Sequence, residues 1–187
     1  MKKINMSDLF PIYGVTLGKT TMSEIESNVG EVEKTNQATS AAIQDVFFVE
    51  VNEEECIRYA GISYRAYPTA EIPKKWRNAL GLEWLMSEDD CKEILESREY
   101  KIEHYDDAIK HRLYYDSKII ASTPDGETFI ELLFRKDGLQ HIMMSVCDCP
   151  KCNSKDIEFV ASKRSDLSEY ICNECGHRWG PTYLIDE

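Results

Sequence analysis

The sequence predicts an α+β protein in which two helix-plus-antiparallel-sheet repeats are followed by a small C-terminal β unit. Three observations support this fold class. Two capped helix starts recur 66 residues apart, runs of aromatic and β-branched residues follow each of them, and two Cys-x-x-Cys pairs lie near the end of the chain. A chain of 187 residues is also long enough to bury a core without the help of metal or disulfides.

Residues 1–75 make up the first predicted repeat. Thr21 and Glu24 have the spacing at which a side chain and a backbone amide cap each other at a helix start. Ile25 and Val29 then share one face of that helix, and Gly30 is suited to its end. The strand-like runs that follow lie at 46–51, 56–60 and 62–67.

Residues 76–146 make up the second predicted repeat. Ser87 and Asp90 have the same capping spacing, and Cys91, Ile94 and Leu95 form the apolar face of the helix. The predicted strands lie at 112–115, 118–122, 129–134 and 141–146, with turns at 124–126 and 136–138. Between the repeats, residues 68–73 form a linker, and residues 74–79 are predicted to form a short helix.

Both repeats carry a similar pattern of glycine, apolar and capping residues. The two patterns are Gly14-x-x-Leu17-Gly18-x-x-Thr21-x-x-Glu24-Ile25 and Gly81-x-x-Trp84-x-Met86-Ser87-x-x-Asp90. This arrangement resembles the unit found in tandem in β-lactamase-inhibitor-protein-like domains and singly in outer-membrane assembly lipoproteins. The resemblance implies helices on one face of an antiparallel sheet and a free concave face suited to binding proteins. The alternative is an ordinary α+β core in which the aromatic residues only pack.

The third predicted unit, at 147–187, contains the pairs Cys149/Cys152 and Cys172/Cys175, with nineteen residues between them. This spacing is typical of four-cysteine zinc ribbons, in which two tight turns each present two thiolates. Four cysteine ligands leave no position for water or substrate, so we predict one structural Zn²⁺. Redox activity is the alternative, but it would need a thioredoxin-like βαβ context that the sequence lacks.

The residues between and after the cysteine pairs predict the rest of the ribbon. Runs at 156–161 and 169–171 indicate a hairpin with its turn at 163–166, and a third strand is expected at 177–184. We expect Trp179 to cover the site. Cys147 and His177 are possible substitute ligands, but we predict a free thiol at Cys147 and a packed or solvated side chain at His177.

The segment from Cys172 to Trp179, preceded by Arg164-Ser165-Asp166, resembles the zinc ribbons of transcript-cleavage elongation factors and small RNA polymerase subunits. In those ribbons an adjacent acidic pair at the hairpin tip enters the polymerase active site. Here Leu167 and Ser168 separate Asp166 from Glu169, so the pair is not reproduced. The resemblance nevertheless implies an alternative function, a transcription-associated factor that contacts RNA polymerase through the ribbon.

Charge and cysteine content restrict the partners and the compartment. The chain has 22 Lys and Arg against 34 Asp and Glu, a net charge of −12, which disfavours nucleic acid and anionic membranes. The odd count of seven cysteines, the lack of an export signal and the lack of a membrane-spanning run favour the cytoplasm. We therefore expect another protein as the partner.

No catalytic motif is recognisable in the sequence. His104, His111 and His141 are scattered, and Asp106 and Asp107 lie near the first two without a known ligand spacing. An enzyme built on these histidines is kept as a third alternative. The function that the sequence favours is a zinc-binding, non-enzymatic protein-interaction module with no catalytic or further cofactor-binding residues, and the oligomeric state stays open.

Overall fold

The computed structural model describes residues 3–29, 33–34, 38–51, 56–65, 68–105, 115–161 and 168–179. Its helices are α1 (Met6–Leu9), α2 (Met22–Val29), α3 (Lys74–Leu80) and α4 (Glu88–Glu96). Its strands are β1 (Glu33–Lys34), β2 (Ala38–Ile43), β3 (Val46–Val51), β4 (Ile57–Ser63), β5 (Lys101–Tyr105), β6 (Ser117–Ser122), β7 (Thr128–Arg135), β8 (Gly138–Val146), β9 (Ile157–Ala161), β10 (Ser168–Cys172) and β11 (Arg178–Trp179). Among these residues, none of the helices combines the length and apolarity needed to traverse a bilayer.

Capping residues start the two longer helices, as the sequence predicts. The backbone amide of Thr21 donates to Oε2 of Glu24 at 2.8 Å, and the amide of Glu24 donates to Oγ1 of Thr21 at 3.3 Å. At α4 the Ser87 hydroxyl oxygen accepts from the amide of Asp90 at 3.1 Å. These bonds satisfy amides that lack a partner inside the helix, so the predicted starts are confirmed. The predicted short helix is also confirmed, as α3.

Eight strands form one antiparallel sheet in the order β1-β2-β3-β4-β8-β7-β6-β5. The four strands that follow α2 make up one half, and the four that follow α4 make up the other half in mirrored order. The halves join where β4 pairs with β8. The fold is therefore mixed α and β with a continuous antiparallel sheet, while the duplication and the boundaries of the three units stay predictions. The boundary after residue 75 lies within α3, and the one after 146 lies at the end of β8.

The helices pack on one face of this sheet and bury the main core with it. Trp76, Leu80, Cys91 and Leu95 from α3 and α4 are fully buried there. The strands contribute alternate residues to the same core, since side chains along a strand point to opposite faces. They include Phe48, Ala60, Ile62, Ile119, Ala121, Ile130, Leu132, Ile142 and Met144.

The other face of the large sheet is not free where the second sheet packs against it. Strands β9, β10 and β11 form that second sheet, in the order β11-β10-β9. Tyr170 and Trp179 from these strands are buried together with Val49 and Tyr59 of the large sheet. The expectation of an open concave face is therefore corrected for this part of the sheet.

The strand at 57–63 differs from its prediction. The sequence predicts two strand-like runs here, at 56–60 and 62–67. The structure has the single strand β4, in which Gly61 is required by packing: a Cβ atom there would lie 2.3 Å from Cζ of Phe47. The phenyl ring therefore occupies the space that a side chain would fill.

Further differences concern the predicted elements. The prediction missed α1, β1, β2 and β5, and of the run at 112–115 the structure describes only Tyr115, which is not in a strand. Gly30 lies outside the described residues. Cys91 is buried as expected, whereas Cys56 is only half-buried. The runs at 118–122, 129–134 and 141–146 lie within β6, β7 and β8, joined by turns at the two predicted places.

Candidate metal centre

Two backbone turns of the same form present the four cysteines. In the first turn the amide of Cys149 donates to the carbonyl of Ser154 at 2.8 Å, and the amide of Asn153 donates to the carbonyl of Cys149 at 2.7 Å. The second turn has the same pair of bonds. The amide of Cys172 donates to the carbonyl of His177 at 2.9 Å, and the amide of Gly176 donates to the carbonyl of Cys172 at 2.8 Å.

A residue with positive φ closes each turn at the equivalent position. Asn153 has φ of 57° and Gly176 has φ of 69°. Asparagine and glycine are the residue types that adopt this left-handed conformation most readily. The sequence therefore folds into two matching loops because each Cys-x-x-Cys pair is followed by a residue that tolerates the turn.

The four sulfur atoms form a compact cluster. The Sγ atoms of Cys149 and Cys175 are 3.6 Å apart, those of Cys152 and Cys172 are 3.5 Å apart, and all four lie within 4.8 Å of one another. A disulfide would need about 2.05 Å, so these are free thiols. A tetrahedron with zinc–sulfur bonds of about 2.3 Å has edges of about 3.8 Å, so the cluster has the size to hold a metal ion such as zinc.

Backbone amides that point at the sulfurs favour the thiolate form. The amides of Lys151 and Cys152 donate to Sγ of Cys149, and those of Glu174 and Cys175 donate to Sγ of Cys172. Desolvation raises the pKa of Cys172, but these amides and the neighbouring thiols outweigh it and lower that pKa to about 7. The second turn therefore favours a thiolate at Cys172 before any ion binds, whereas desolvation raises the pKa of Cys149 despite the two amides that point at its sulfur.

A stack of four aromatic rings connects the second turn with the large sheet. The ring of His177 lies 5.7 Å from that of Trp179, Trp179 lies 5.7 Å from Tyr170, and Tyr170 lies 5.4 Å from Phe129 on β7. The angles between successive planes are 13°, 23° and 26°. Trp179 is buried beside Cys149 and Cys172, which agrees with its expected covering role.

Polar contacts fix the first turn to the sheet as well. Arg58 is an extra residue in β4, because Tyr59 pairs with Val49 whereas Ile57 pairs with Glu50. This bulge lets the buried guanidinium of Arg58 donate to the carboxylate and to the carbonyl of Asp148, each at 2.5 Å. Asp148 lies next to the ligand Cys149, so the first turn is held by a charge-assisted bond.

Two other contacts link the cysteine-bearing segment to the large sheet. The hydroxyls of Ser145 and Tyr170 are 3.2 Å apart in a buried position, and the ammonium of Lys155 lies 3.2 Å from Oε1 of Glu127. No sequence pattern indicates these contacts or the Arg58–Asp148 pair, because each joins residues far apart in the chain.

The possible substitute ligands stand apart from the sulfur cluster. The cluster contains neither Cys147 nor His177. Cys147 is buried, and desolvation raises the pKa of its thiol far above the ordinary value. His177 is half-buried and stacks on Trp179, which agrees with a packing role. The expected turn at 163–166 and the third strand beyond Trp179 lie outside the described residues.

The described residues do not bring His104, His111 and His141 together into the catalytic site that an enzyme would need. His111 and the neighbouring Asp106 and Asp107 lie outside the described residues, and so does the side chain of His104. His141 is on β8, buried between the rings of Phe47 and Tyr115, which lie 5.6 Å and 6.3 Å away. Within the described part of the chain, neither nitrogen of this ring has a hydrogen-bond partner.

Comparison of the chain with protein-family models, with curated proteins and with solved structures found no match.

Proposed function

We propose that this protein is a zinc-binding, non-enzymatic protein-interaction module. In this proposal one Zn²⁺ is bound by Cys149, Cys152, Cys172 and Cys175 and stabilises β9, β10 and β11 as a zinc ribbon. The observation that carries the proposal is the repeated turn, which brings four sulfurs within 4.8 Å of one another and directs backbone amides at two of them.

The donor set favours a structural metal over a catalytic one. Four thiolates close the tetrahedral shell of zinc, so no position is left for a water molecule or a substrate carbonyl. Buried side chains, including Trp179, also cover part of the site. We therefore assign the metal the role of holding a short segment in one conformation, since strands of five, five and two residues bury too little to fold alone.

The attachment of the ribbon to the sheet supports a role in binding. The aromatic stack and the Arg58–Asp148 contact hold the two sheets in a fixed relation. A partner would meet a preformed surface and would not have to order it on binding. The net charge of −12 favours a partner with a basic surface.

The metal can be tested by elemental analysis of protein purified without added metal. We expect one zinc per chain in the wild type and none in the Cys149→Ser/Cys172→Ser double variant. Cys147→Ser and Cys91→Ser are matched controls that remove cysteines outside the cluster, and both should keep the zinc. A wild-type protein without zinc would overturn the metal assignment.

The interaction can be tested with the same variants as bait in affinity capture. We expect a protein that binds the wild type and Cys147→Ser at micromolar concentration and is lost with the double variant. If all baits capture the same proteins equally, the ribbon does not take part in the interaction. Separately, turnover of a substrate that is lost when one pocket is mutated would overturn the non-enzymatic assignment.

A further inference from the structure

A cleft of about 490 Å³ follows one edge of the ribbon, between β9 and the outer half of the large sheet. Its lining includes both Ile157 and Glu158 of β9, and Ser122 and Phe129 of the large sheet lie on its other side. Side chains of consecutive strand residues point to opposite faces, so a cleft that reaches both Ile157 and Glu158 runs along the backbone edge of the strand. The cleft therefore gives access to main-chain groups of β9.

The edge of β9 that faces the cleft is not paired with any described strand. β9 is the last strand of the small sheet, with β10 on its other side. The amide of Asn173 donates to the carbonyl of Asp156 at 2.9 Å, just before the ladder of these two strands begins. Bonded pairs alternate along an antiparallel ladder, so Glu158 also bonds to β10. The carbonyl of Ile157 and the amide and carbonyl of Phe159 consequently point toward the other edge.

An unpaired strand edge presents donors and acceptors at which another extended chain can bind as an additional strand. On the side of the large sheet, such a strand would meet Phe129 and Ile157, which are half-buried and pack against the residues buried between the two sheets. Apolar side chains at every second position of the added strand would fit that side, because they would all point toward the large sheet.

The charges around this edge favour a basic strand. Lys155 pairs with Glu127 at 3.2 Å, and the carboxylate of Asp156 accepts a hydrogen bond from the second cysteine turn at 2.9 Å. Together with the lining residues Lys101 and Glu158, these groups carry two positive and three negative charges. Glu158 is exposed, on the face turned away from the large sheet, and has no ion-pair partner among the described residues.

We propose that the edge of β9 binds an extended peptide segment of the partner protein, which adds to the ribbon as a fourth strand. Its apolar side chains pack against Phe129 and Ile157, and a lysine or arginine on its other face lies opposite Glu158. Main-chain hydrogen bonds to Ile157 and Phe159 supply affinity, and the alternating side chains supply specificity. This inference rests on the proposed function, because it names the surface and the chemistry of the proposed partner.

The test uses the full-length protein as purified and three synthetic peptides. The first is acetyl-Ser-Val-Lys-Val-Lys-Val-Ser-amide. The second has glutamate in place of both lysines, and the third keeps the first sequence but has its valine and lysine amides N-methylated. In ¹H–¹⁵N spectra the first peptide should give saturable shifts at millimolar concentration, centred on the amides of Glu158 and Phe159. The acidic peptide should bind at least roughly threefold more weakly, and the N-methylated peptide should not bind.

Hydrogen exchange distinguishes strand addition from adsorption to the surface. Without peptide, the outward amide of Phe159 should exchange faster than those of Glu158 and Val160, which bond to β10. At a concentration of about ten times its Kd, the first peptide should slow exchange at Phe159 roughly tenfold and leave Ile142 in β8 unchanged. Solvent saturation transfer measures these rates. A peptide that is adsorbed without pairing would shift resonances but would not slow exchange at Phe159.

A charge variant tests the expected selectivity. Glu158→Gln keeps the shape of the side chain and removes its charge, so the affinity for the basic peptide should fall roughly two- to fivefold, and the difference between the basic and acidic peptides should shrink. Glu93→Gln is the matched control, because Glu93 is exposed on α4, which packs on the opposite face of the large sheet. This variant should bind all three peptides like the wild type.

The outcomes separate this site from the proposed function. Absence of saturable shifts, equal binding of the N-methylated peptide, or unchanged exchange at Phe159 would overturn the edge site. If affinity capture nevertheless finds a partner, the proposed function stands without this edge. Peptide binding with the expected pattern but without a captured partner would support the edge site and count against the proposed partner protein.

Discussion

The large sheet and the cysteine-bearing sheet are stabilised by different interactions. The large sheet is covered on one face by helices, and its core is built from fully buried side chains such as Trp76, Leu95 and Leu132. The smaller sheet has three short strands, and two of the residues that it buries against the large sheet are the cysteines Cys149 and Cys172. One region has a large apolar core, whereas the other has a small one and adds to it the sulfur cluster and polar contacts with its neighbour.

Under the proposed function, the metal is indispensable to one part of the chain and dispensable to the rest. Apolar burial in the main core does not involve the sulfur cluster, because the helices lie on the opposite face of the sheet from the ribbon. The zinc of a small site contributes its binding free energy mainly to the segment that it folds. The two regions should therefore respond separately when either is perturbed.

Removal of the metal is the largest perturbation that the comparison predicts. Structural zinc contributes about 10–16 kcal/mol in small peptides, more than the ribbon can replace by burial. After chelation we expect the amides of Tyr170 and Cys172 to lose protection from hydrogen exchange, while those of Ile142 and Met144 keep it. Mass-spectrometric or NMR exchange measures both regions in one sample.

The same exchange experiment on Cys147→Ser provides the control. This variant removes a buried cysteine next to the ribbon but outside the sulfur cluster. Its ribbon amides should stay protected until chelator is added. Simultaneous loss of protection in β8 and β10 would show that the two regions unfold as one unit. The expectation that they respond separately would then be wrong.

Local signals made much of the fold predictable. The capping pairs Thr21/Glu24 and Ser87/Asp90 and the two cysteine turns depend on residues three to five apart, so their geometry follows from the sequence. The strand β2 was missed because its sequence, Ala-Thr-Ser-Ala-Ala-Ile, has small residues and little aromatic or β-branched character. The edge strand β5 was missed because Lys-Ile-Glu-His-Tyr has one aliphatic residue.

Long-range contacts limited what could be predicted of the site. The identity of the four clustered cysteines follows from spacing alone, but their attachment to the sheet depends on Phe129, Arg58 and Ser145. No sequence pattern connects these residues with the ribbon, because the strand order brings them together. For the same reason the sequence separates the runs at 56–60 and 62–67, whereas β4 is continuous and the ring of Phe47 from the neighbouring strand β3 fills the space above Gly61.

Acid is expected to destabilise the large sheet through a buried histidine on β8. His141 is buried, and desolvation lowers its pKa from 6.5 to about 4. Between these values the unfolded chain binds the proton more strongly, so the folded state loses stability as pH falls. The stability contributed by neutral His141 is complete above about pH 6.5 and declines by about 3 kcal/mol as pH falls to 4 and below. Urea unfolding of the metal-loaded protein at several pH values, followed at the amides of β8, measures it.

Two histidine variants test whether His141 causes this slope. His141→Leu keeps a similar volume and removes the titrating group, so the pH dependence of unfolding in β8 should flatten. His177→Gln removes a half-buried histidine of the ribbon and should leave the slope in β8 unchanged. An undiminished slope in His141→Leu would assign the acid sensitivity to other groups.

The smallest effect concerns the hydroxyl of Tyr170, where the two regions meet. Tyr170→Phe removes the buried contact with Ser145 but keeps the ring between Trp179 and Phe129. A hydrogen bond of this kind contributes about 1 kcal/mol, so ribbon amides should exchange roughly fivefold faster while those of Ile142 stay unchanged. Tyr13→Phe, at an exposed position, is the matched control and should change neither. Faster exchange at Ile142 as well would contradict this prediction. It would mean that the Tyr170 hydroxyl stabilises the large sheet as well as the cysteine-bearing sheet.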